Sequence, residues 1–277
     1  MSAPVRCKAS GNMRNGTNRM PNKVETILQG ANIDVVGIAD AANWPSPIIE
    51  CRPVEILKGC KRVIVFGKEI LAPVYTTRAH ALDLYGHVAQ NYYQTMDAAA
   101  VEVATMLTRQ GHPSVPIGAY LPLLMREGKY WGMVSLKHGA VRAGLGTMGK
   151  NTLIINGKFG NRLRFGGVLT TADLPAGKPL DTSLCIEDCR TCAEVCPVGA
   201  LNGAGGIVQY KCLKKSTVHP LLATAFLSQC FRKSRFINKY FELVTGTLGA
   251  RYSYGCCECL TNCPHFNRGA TRRGELN

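Results

Sequence analysis

Acidic residues are scarce in this chain: 18 Asp and Glu stand against 33 Lys and Arg in 277 residues, a formal charge of +15 at pH 7. Such an excess of one sign points to an acidic partner, whether RNA, a phosphorylated molecule or an acidic redox protein. Long apolar runs are missing as well, and nothing approaches the roughly 20 residues that a membrane-spanning helix needs. Aromatic residues make up only 7%, few for a surface that stacks nucleic-acid bases. No charged, apolar, small-residue leader opens the chain, so the expected compartment is the reducing cytoplasm, with no membrane partner. At 46% hydrophobic, the chain has material for one medium domain and a small one.

Cysteine, by contrast, is plentiful. Eight of the 13 cysteines fall into two runs. The first is Cys185-x3-Cys189-x2-Cys192-x3-Cys196-Pro197, and the second is Cys256-x2-Cys259-x3-Cys263-Pro264, preceded at a distance by Cys212. Thiolates this close give iron several soft ligands for little loop ordering, and a proline after the last one keeps the chain from continuing helically through its ligand. In two-cluster ferredoxins the cysteine before the proline reaches across to the other cluster. On that logic Cys185, Cys189, Cys192 and Cys263 hold one [4Fe-4S] cluster, and Cys196, Cys212, Cys256 and Cys259 hold a second. Zinc sites favour paired C-x2-C ligands, and disulfide frameworks favour short secreted chains with even cysteine counts, so both fit less well. With two clusters counted at about −2 each, the charge remains about +11. Cys7, Cys51, Cys60, Cys230 and Cys257 are expected to be small buried apolar residues, although Cys257, between two ligands, can stand in for Cys256 in the count.

Along the chain, residues 1–22 carry no apolar period and read as a disordered arm. A helix is expected near Lys23–Gly30, strands at Asp34–Ala39 and Arg62–Gly67, and a proline-rich loop at Asn43–Pro53. Helical spacing runs from Ala79 to about Gln110, with Leu82, Leu84, Val88, Met96, Ala100, Val103 and Leu107 on one face and Gly111 as its stop. Strands follow at Val115–Tyr120, Thr152–Ile155 and Arg164–Thr171, with a helix at Leu136–Ala143. Strands and helices alternate up to Pro179, which places a boundary near 180 between an α/β domain (23–180) and a cluster domain (181–267), followed by a basic tail (268–277). A stretch from Lys211 to Lys239 carries seven basic residues and no acidic one.

The segment Gly144-x-Gly146-x-x-Gly149-Lys150 matches part of the dinucleotide fingerprint and is one residue short of a P-loop. Both motifs need a strand before the glycines and a helix after them, and here the expected order is reversed. The glycines still allow backbone amides to approach a ligand, and Lys150 adds a positive charge, so Gly144, Gly146, Gly149 and Lys150 are candidate cofactor contacts. The competing reading is a tight helix-to-strand turn.

From Leu136 to Thr171, through Cys185–Leu201 and Cys212 to Tyr254-Gly255-Cys256 and Cys263-Pro264, the chain resembles epoxyqueuosine reductases and, more distantly, reductive dehalogenases. The resemblance implies an α+β/α/β fold: a nitroreductase-like catalytic domain followed by a small ferredoxin-like domain with two [4Fe-4S] clusters. It also implies a bound cobalamin, with FMN as the second choice, a low-potential ferredoxin or flavodoxin as electron donor, and two-electron reduction of a small-molecule or tRNA-borne substrate. The segment that carries the family's proton-donating aspartate is replaced here by Tyr130-Trp131-Gly132-Met133-Val134-Ser135. Tyr130 is therefore the first candidate acid, with Lys129 or Lys137 to lower its pKa, and His138 is the second. The family's helical extension beyond the second cysteine run is not seen before Asn277, which weighs against a tRNA substrate. Two other readings are a ferredoxin-like electron carrier or reductive activator serving another corrinoid or metalloprotein, and a tRNA-binding protein with structural clusters.

Overall fold

The apolar run around Val63–Phe66 builds the centre of the molecule. The structure, a computed structural model, describes residues 19–120, 122–126, 128–218 and 253–269. Its helices are α1 (Arg19–Gly30), α2 (Pro53–Ile56), α3 (Ala72–Thr76), α4 (Ala81–Arg109), α5 (Leu136–Arg142), α6 (Thr191–Glu194), α7 (Gln209–Ser216) and α8 (Glu258–Thr261). The strands are β1 (Val35–Asp40), β2 (Arg62–Glu69), β3 (Ser114–Ile117), β4 (Leu123–Arg126), β5 (Lys129–Gly132), β6 (Thr147–Met148), β7 (Ile154–Ile155), β8 (Leu163–Thr170), β9 (Thr217–Val218) and β10 (Ser253–Tyr254).

Four strands form the main sheet in the order β1-β2-β8-β3, and every pairing in it is antiparallel. β2 and β8 lie inside it, which is why both read as nearly continuous apolar runs. Side chains alternate across the sheet. Val63 and Val65 enter a core with Trp44, Leu136 and Ala140, beneath α5. Ile64 and Phe66 enter the opposite core with Val24, Leu28, Met96 and Val103, beneath α1 and α4. Each of these fully buried β2 side chains contributes about 1.5–3 kcal/mol. A third core joins α3 and α4 to the second cysteine run: Ile70, Tyr75, Tyr85 and Ala89 pack on Leu260 and Phe266, with the Tyr75 and Phe266 rings edge to face at 5.6 Å.

Several boundaries differ from the sequence expectation. The first helix begins at Arg19, so residues 19–22 of the expected arm are helical, while residues 1–18 lie outside the described residues, as do 270–277 of the basic tail. On α4 the inward face uses Tyr85 and Ala89, and Leu84 is exposed. The strand expected at Val115–Tyr120 is the shorter β3, and that at Thr152–Ile155 is the two-residue β7. The β4–β5 hairpin was not expected at all. The alternation of strands and helices suggested an α/β pattern, whereas the antiparallel sheet is of the α+β kind. Among the described residues no helix is long and apolar enough to cross a membrane.

Candidate iron–sulfur centres and their surroundings

The first cysteine run winds through single tight turns. Cys189 N–H donates to the Ile186 carbonyl and Cys196 N–H to that of Ala193, both at 3.3 Å. In the second run, Cys263 N–H donates to the Leu260 carbonyl at 3.4 Å. These turns aim Cys185, Cys189, Cys192 and Cys263 at one small cavity, which Lys150 and His265 also line. The other four thiols meet around Cys259. Burial pushes the Cys259 thiol up to about 12, and the neighbouring Cys212, Cys256, Cys192 and Cys196 add to the effect. Cys212 is likewise raised, first by burial and further by Cys196 and Cys256. Among the described residues no three His, Cys, Asp or Glu side chains converge on a point that one metal ion could fill. In the first set the thiols ring a space.

The groups are held from outside by the stretch that leads into β8. Lys150 Nζ donates to the carbonyls of Ile186 (3.3 Å), Cys189 (3.0 Å) and Glu187. Asn151 Nδ2 donates to the Cys259 carbonyl and Asn161 Nδ2 to that of Leu260, each at 2.9 Å. Arg162, fully buried, donates to Glu69 and, at 2.9 Å, to the Arg268 carbonyl. Both cysteine runs are thus fixed by their backbone carbonyls, which leaves the thiols free for metal.

The donor set fits iron–sulfur clusters. Cys192, Cys212, Cys259 and Cys263, whose ionisation is suppressed by burial and then by neighbouring thiols, need a cationic centre before they can be thiolates together. His265, only 5% exposed, lines the first cavity, and its Nε2 has no hydrogen-bond partner among the described residues. A cluster in that cavity would give this nitrogen polar neighbours. At Cys196, burial opposes ionisation, yet backbone amides from Val198 to Leu201 outweigh it and lower the pKa; the Ala200 amide lies 3.2 Å from the sulfur. Cys257 belongs elsewhere. It caps α8, packs against the core around Tyr75, and is pushed up to about 11, chiefly by burial. Cys51 and Cys60 are buried, and Cys7 and Cys230 lie outside the described residues.

The second thiol set adjoins Lys137, which is exposed at the start of α5. Protein packed around its ammonium lowers its pKa, with Arg164 in the same direction and Cys212 and Cys259 opposed. Next to it, His138 Nδ1 lies 2.7 Å from Ser135 Oγ, and burial, then Lys137, lowers its pKa, so the ring is neutral at pH 7. That makes His138 a weaker acid candidate. Tyr130 lies on β5, and its backbone is held by Gln209 of α7, the helix that carries Cys212. The indole N–H of Trp131, also on β5, is buried with no partner among the described residues.

The glycine loop forms the tight turn of the competing reading. Gly144 has φ +74°, and an added Cβ would come 2.5 Å from the Lys178 carbonyl oxygen; one at Gly146 would run into the Ile155 carbonyl. Gly149 N–H donates to the Leu153 carbonyl at 2.7 Å. The loop is a tight turn between α5 and β7, and Lys150 is engaged by the first cysteine run. Neither that role of Lys150 nor those of Gln209 and Arg162 was read from the sequence. His265 carried a signal, directly after Cys263-Pro264.

One consequence concerns pH. In the iron-free chain the folded state keeps its Cys259 and Cys257 thiols protonated up to about 12 and about 11, above their unfolded value of about 9. Their contribution is intact below pH 9 and is lost as pH rises from there toward 12. The iron-free protein is expected to melt at progressively lower temperature above pH 9, and the iron-loaded protein less so, in denaturation curves taken at each pH. Parallel curves would contradict this.

No family model matches the chain. Among curated proteins it is similar to epoxyqueuosine reductase of Bacillus cereus, with 32% identity over 128 residues, covering 46% of this chain and 28% of that protein. It is also similar to epoxyqueuosine reductase of Pseudomonas aeruginosa, with 28% identity over 230 residues, 81% of this chain and 56% of that one. Among solved structures, epoxyqueuosine reductase from Bacillus subtilis matches over 90% of this chain and 66% of its own, with a TM-score of 0.58 and 15% identity. The chain is thus similar to epoxyqueuosine reductases over part of their length. An epoxyqueuosine reductase solved with a modified tRNA stem loop superimposes with a TM-score of 0.57, 16% identity and coverage of 90% and 66%. A reductive dehalogenase described as B12-dependent superimposes with a TM-score of 0.53, 15% identity and coverage of 87% and 38%. The mixed α and β architecture is therefore that of epoxyqueuosine reductases, and the match spans less than a third of the B. cereus epoxyqueuosine reductase.

Proposed function

We propose that this chain is a cytoplasmic iron–sulfur reductase of the epoxyqueuosine-reductase type, with a nitroreductase-like domain at 23–180 and a ferredoxin-like, two-cluster domain at 181–267. The observation that carries this reading is the gathering of eight cysteines into two sets of four, the second beside Lys137 and the strand of Tyr130. Cys185, Cys189, Cys192 and Cys263 would hold the cluster that receives electrons from a low-potential ferredoxin or flavodoxin. Cys196, Cys212, Cys256 and Cys259 would hold the one that delivers them. A purely electron-carrying role leaves the large domain before residue 180 without a task.

Cobalamin is the first choice of cofactor and FMN the second; Lys137 and the Trp131 N–H are the residues that would meet it, with Gly144, Gly146, Gly149 and Lys150 as the further candidate contacts. When bound, cobalamin supplies the cobalt centre that carries out the two-electron reduction. The chain's own part is to hold the substrate and supply a proton. Tyr130 is the proposed donor and Lys137 the cation that makes its phenol more acidic. Phenylalanine at 130 is expected to leave cofactor binding intact and to cut turnover by roughly 10²–10⁴-fold. Equal single-turnover rates for Tyr130→Phe and the native chain would remove Tyr130 from this role.

The stem loop held by one structural neighbour makes a tRNA-borne base the first substrate to test. Lys211, Lys214 and Lys215 stand exposed on α7, while the rest of the basic run up to Lys239 lies outside the described residues. Anaerobic reconstitution with iron, sulfide and cobalamin tests the proposal as a whole. About eight irons per chain and a shifted corrinoid spectrum on co-elution are expected. Zinc in place of iron would overturn it, and iron without corrinoid binding would favour the carrier. Binding of tRNA that weakens steeply with salt would mark a phosphate-driven complex.

A further inference from the structure

Among the described residues β5 pairs with β4. Gln209 reaches its other flank at Tyr130. Gln209 Oε1 accepts the Tyr130 N–H at 2.9 Å, and Gln209 Nε2 donates to the Tyr130 carbonyl at 3.2 Å. A primary amide offers a donor and an acceptor side by side, so Gln209 takes the place of one residue of a neighbouring strand. The two residues are 79 positions apart, and Gln209 begins α7, one turn before Cys212. The Cys212 N–H donates to the Val208 carbonyl at 3.2 Å, which ties the thiol-bearing turn to the start of the same helix.

We infer that Gln209 is a positioning residue that couples Tyr130 to the second cluster: metal ligation by Cys212 fixes α7, and α7 through Gln209 fixes the strand of the proton donor. The inference rests on the reading of Cys212 as a cluster ligand and of Tyr130 as the acid. Its consequence is that the acid is held more firmly when the electron-delivering cluster is present. A chain lacking iron would then hold the β4–β5 hairpin loosely.

Hydrogen–deuterium exchange of the full chain, followed at the Tyr130 amide and over residues 123–132, tests this. In the iron-loaded native chain the Tyr130 amide is expected to exchange slowly, and in the iron-free chain faster by about tenfold or more. Gln209→Leu should exchange fast in both states while keeping its iron. Gln209→Glu retains the acceptor for the Tyr130 N–H and should recover part of the protection, which separates the latch from a general loss of packing. Native-like exchange in Gln209→Leu, or identical exchange of the native chain with and without iron, would overturn the inference. Failure of the native chain to take up iron would overturn the cluster reading instead, and the metal count reports that separately from the exchange rates.

Discussion

A Cys212→Ala chain, reconstituted anaerobically, is expected to hold about four irons where the native chain holds about eight, and to lose reductase turnover altogether. Cys212 is the isolated ligand of its set, on a helix of its own, with no second thiol within the turn to replace it. The cavity ringed by Cys185, Cys189, Cys192 and Cys263 contains none of its atoms and should load normally. Iron and sulfide determination with low-temperature EPR distinguishes one cluster from two. The control is Cys257→Ala, whose side chain faces the core around Tyr75 and which should keep both clusters. If Cys257→Ala lost a cluster and Cys256→Ala did not, the assignment of ligands around Cys259 would have to be exchanged.

The second large effect concerns Arg162. Its guanidinium is fully buried, pairs with Glu69, and crosses 106 positions to the Arg268 carbonyl, beneath the Phe266 ring. Arg162→Met removes the cation and leaves a carboxylate with little to bond. Breaking a buried pair in this way costs about 3–5 kcal/mol. The Glu69 side chain retains 17% exposure, and Arg162 Nε and Nη1 have no partner among the described residues, so part of the original desolvation is returned. The lower end, about 3 kcal/mol, is expected, or a Tm lower by on the order of 10 °C. Because Arg162 also anchors the second cysteine run, the variant should lose iron from both clusters faster on chelator challenge. A change in Tm of less than about 2 °C would show that the pair contributes little.

Much of this arrangement is written locally in the chain. The spacing from Cys185 to Pro197 and from Cys256 to Pro264 is legible because ligation demands thiols a turn apart, and Cys263 lines one cavity with Cys185, Cys189 and Cys192. The buried strand at Val63–Phe66 and the long helix ending at Gly111 are legible for the same reason: one period and one stop. The pairing of strands is not. β1, β2, β8 and β3 join across connections of very different length, so alternation along the chain says nothing about direction within the sheet. The β4–β5 hairpin turns at Gly128, φ +72°, without the Asn-Gly or Asp-Gly pair that marks most two-residue turns. The parts played by Lys150, Gln209 and Arg162 depend on carbonyls 36 to 106 positions away, and a carbonyl has no letter of its own in a sequence.

The grip of Asn151, Asn161 and Arg162 on residues 259–268 reaches across 99 to 108 positions. During synthesis, therefore, the main sheet is complete long before the last four metal-binding positions emerge, and it waits as a finished template. Contacts closed over such distances form slowly, since the chain must first give up the freedom of the intervening loop. The contacts that anchor the second cysteine run are thus among the last to close as the chain folds.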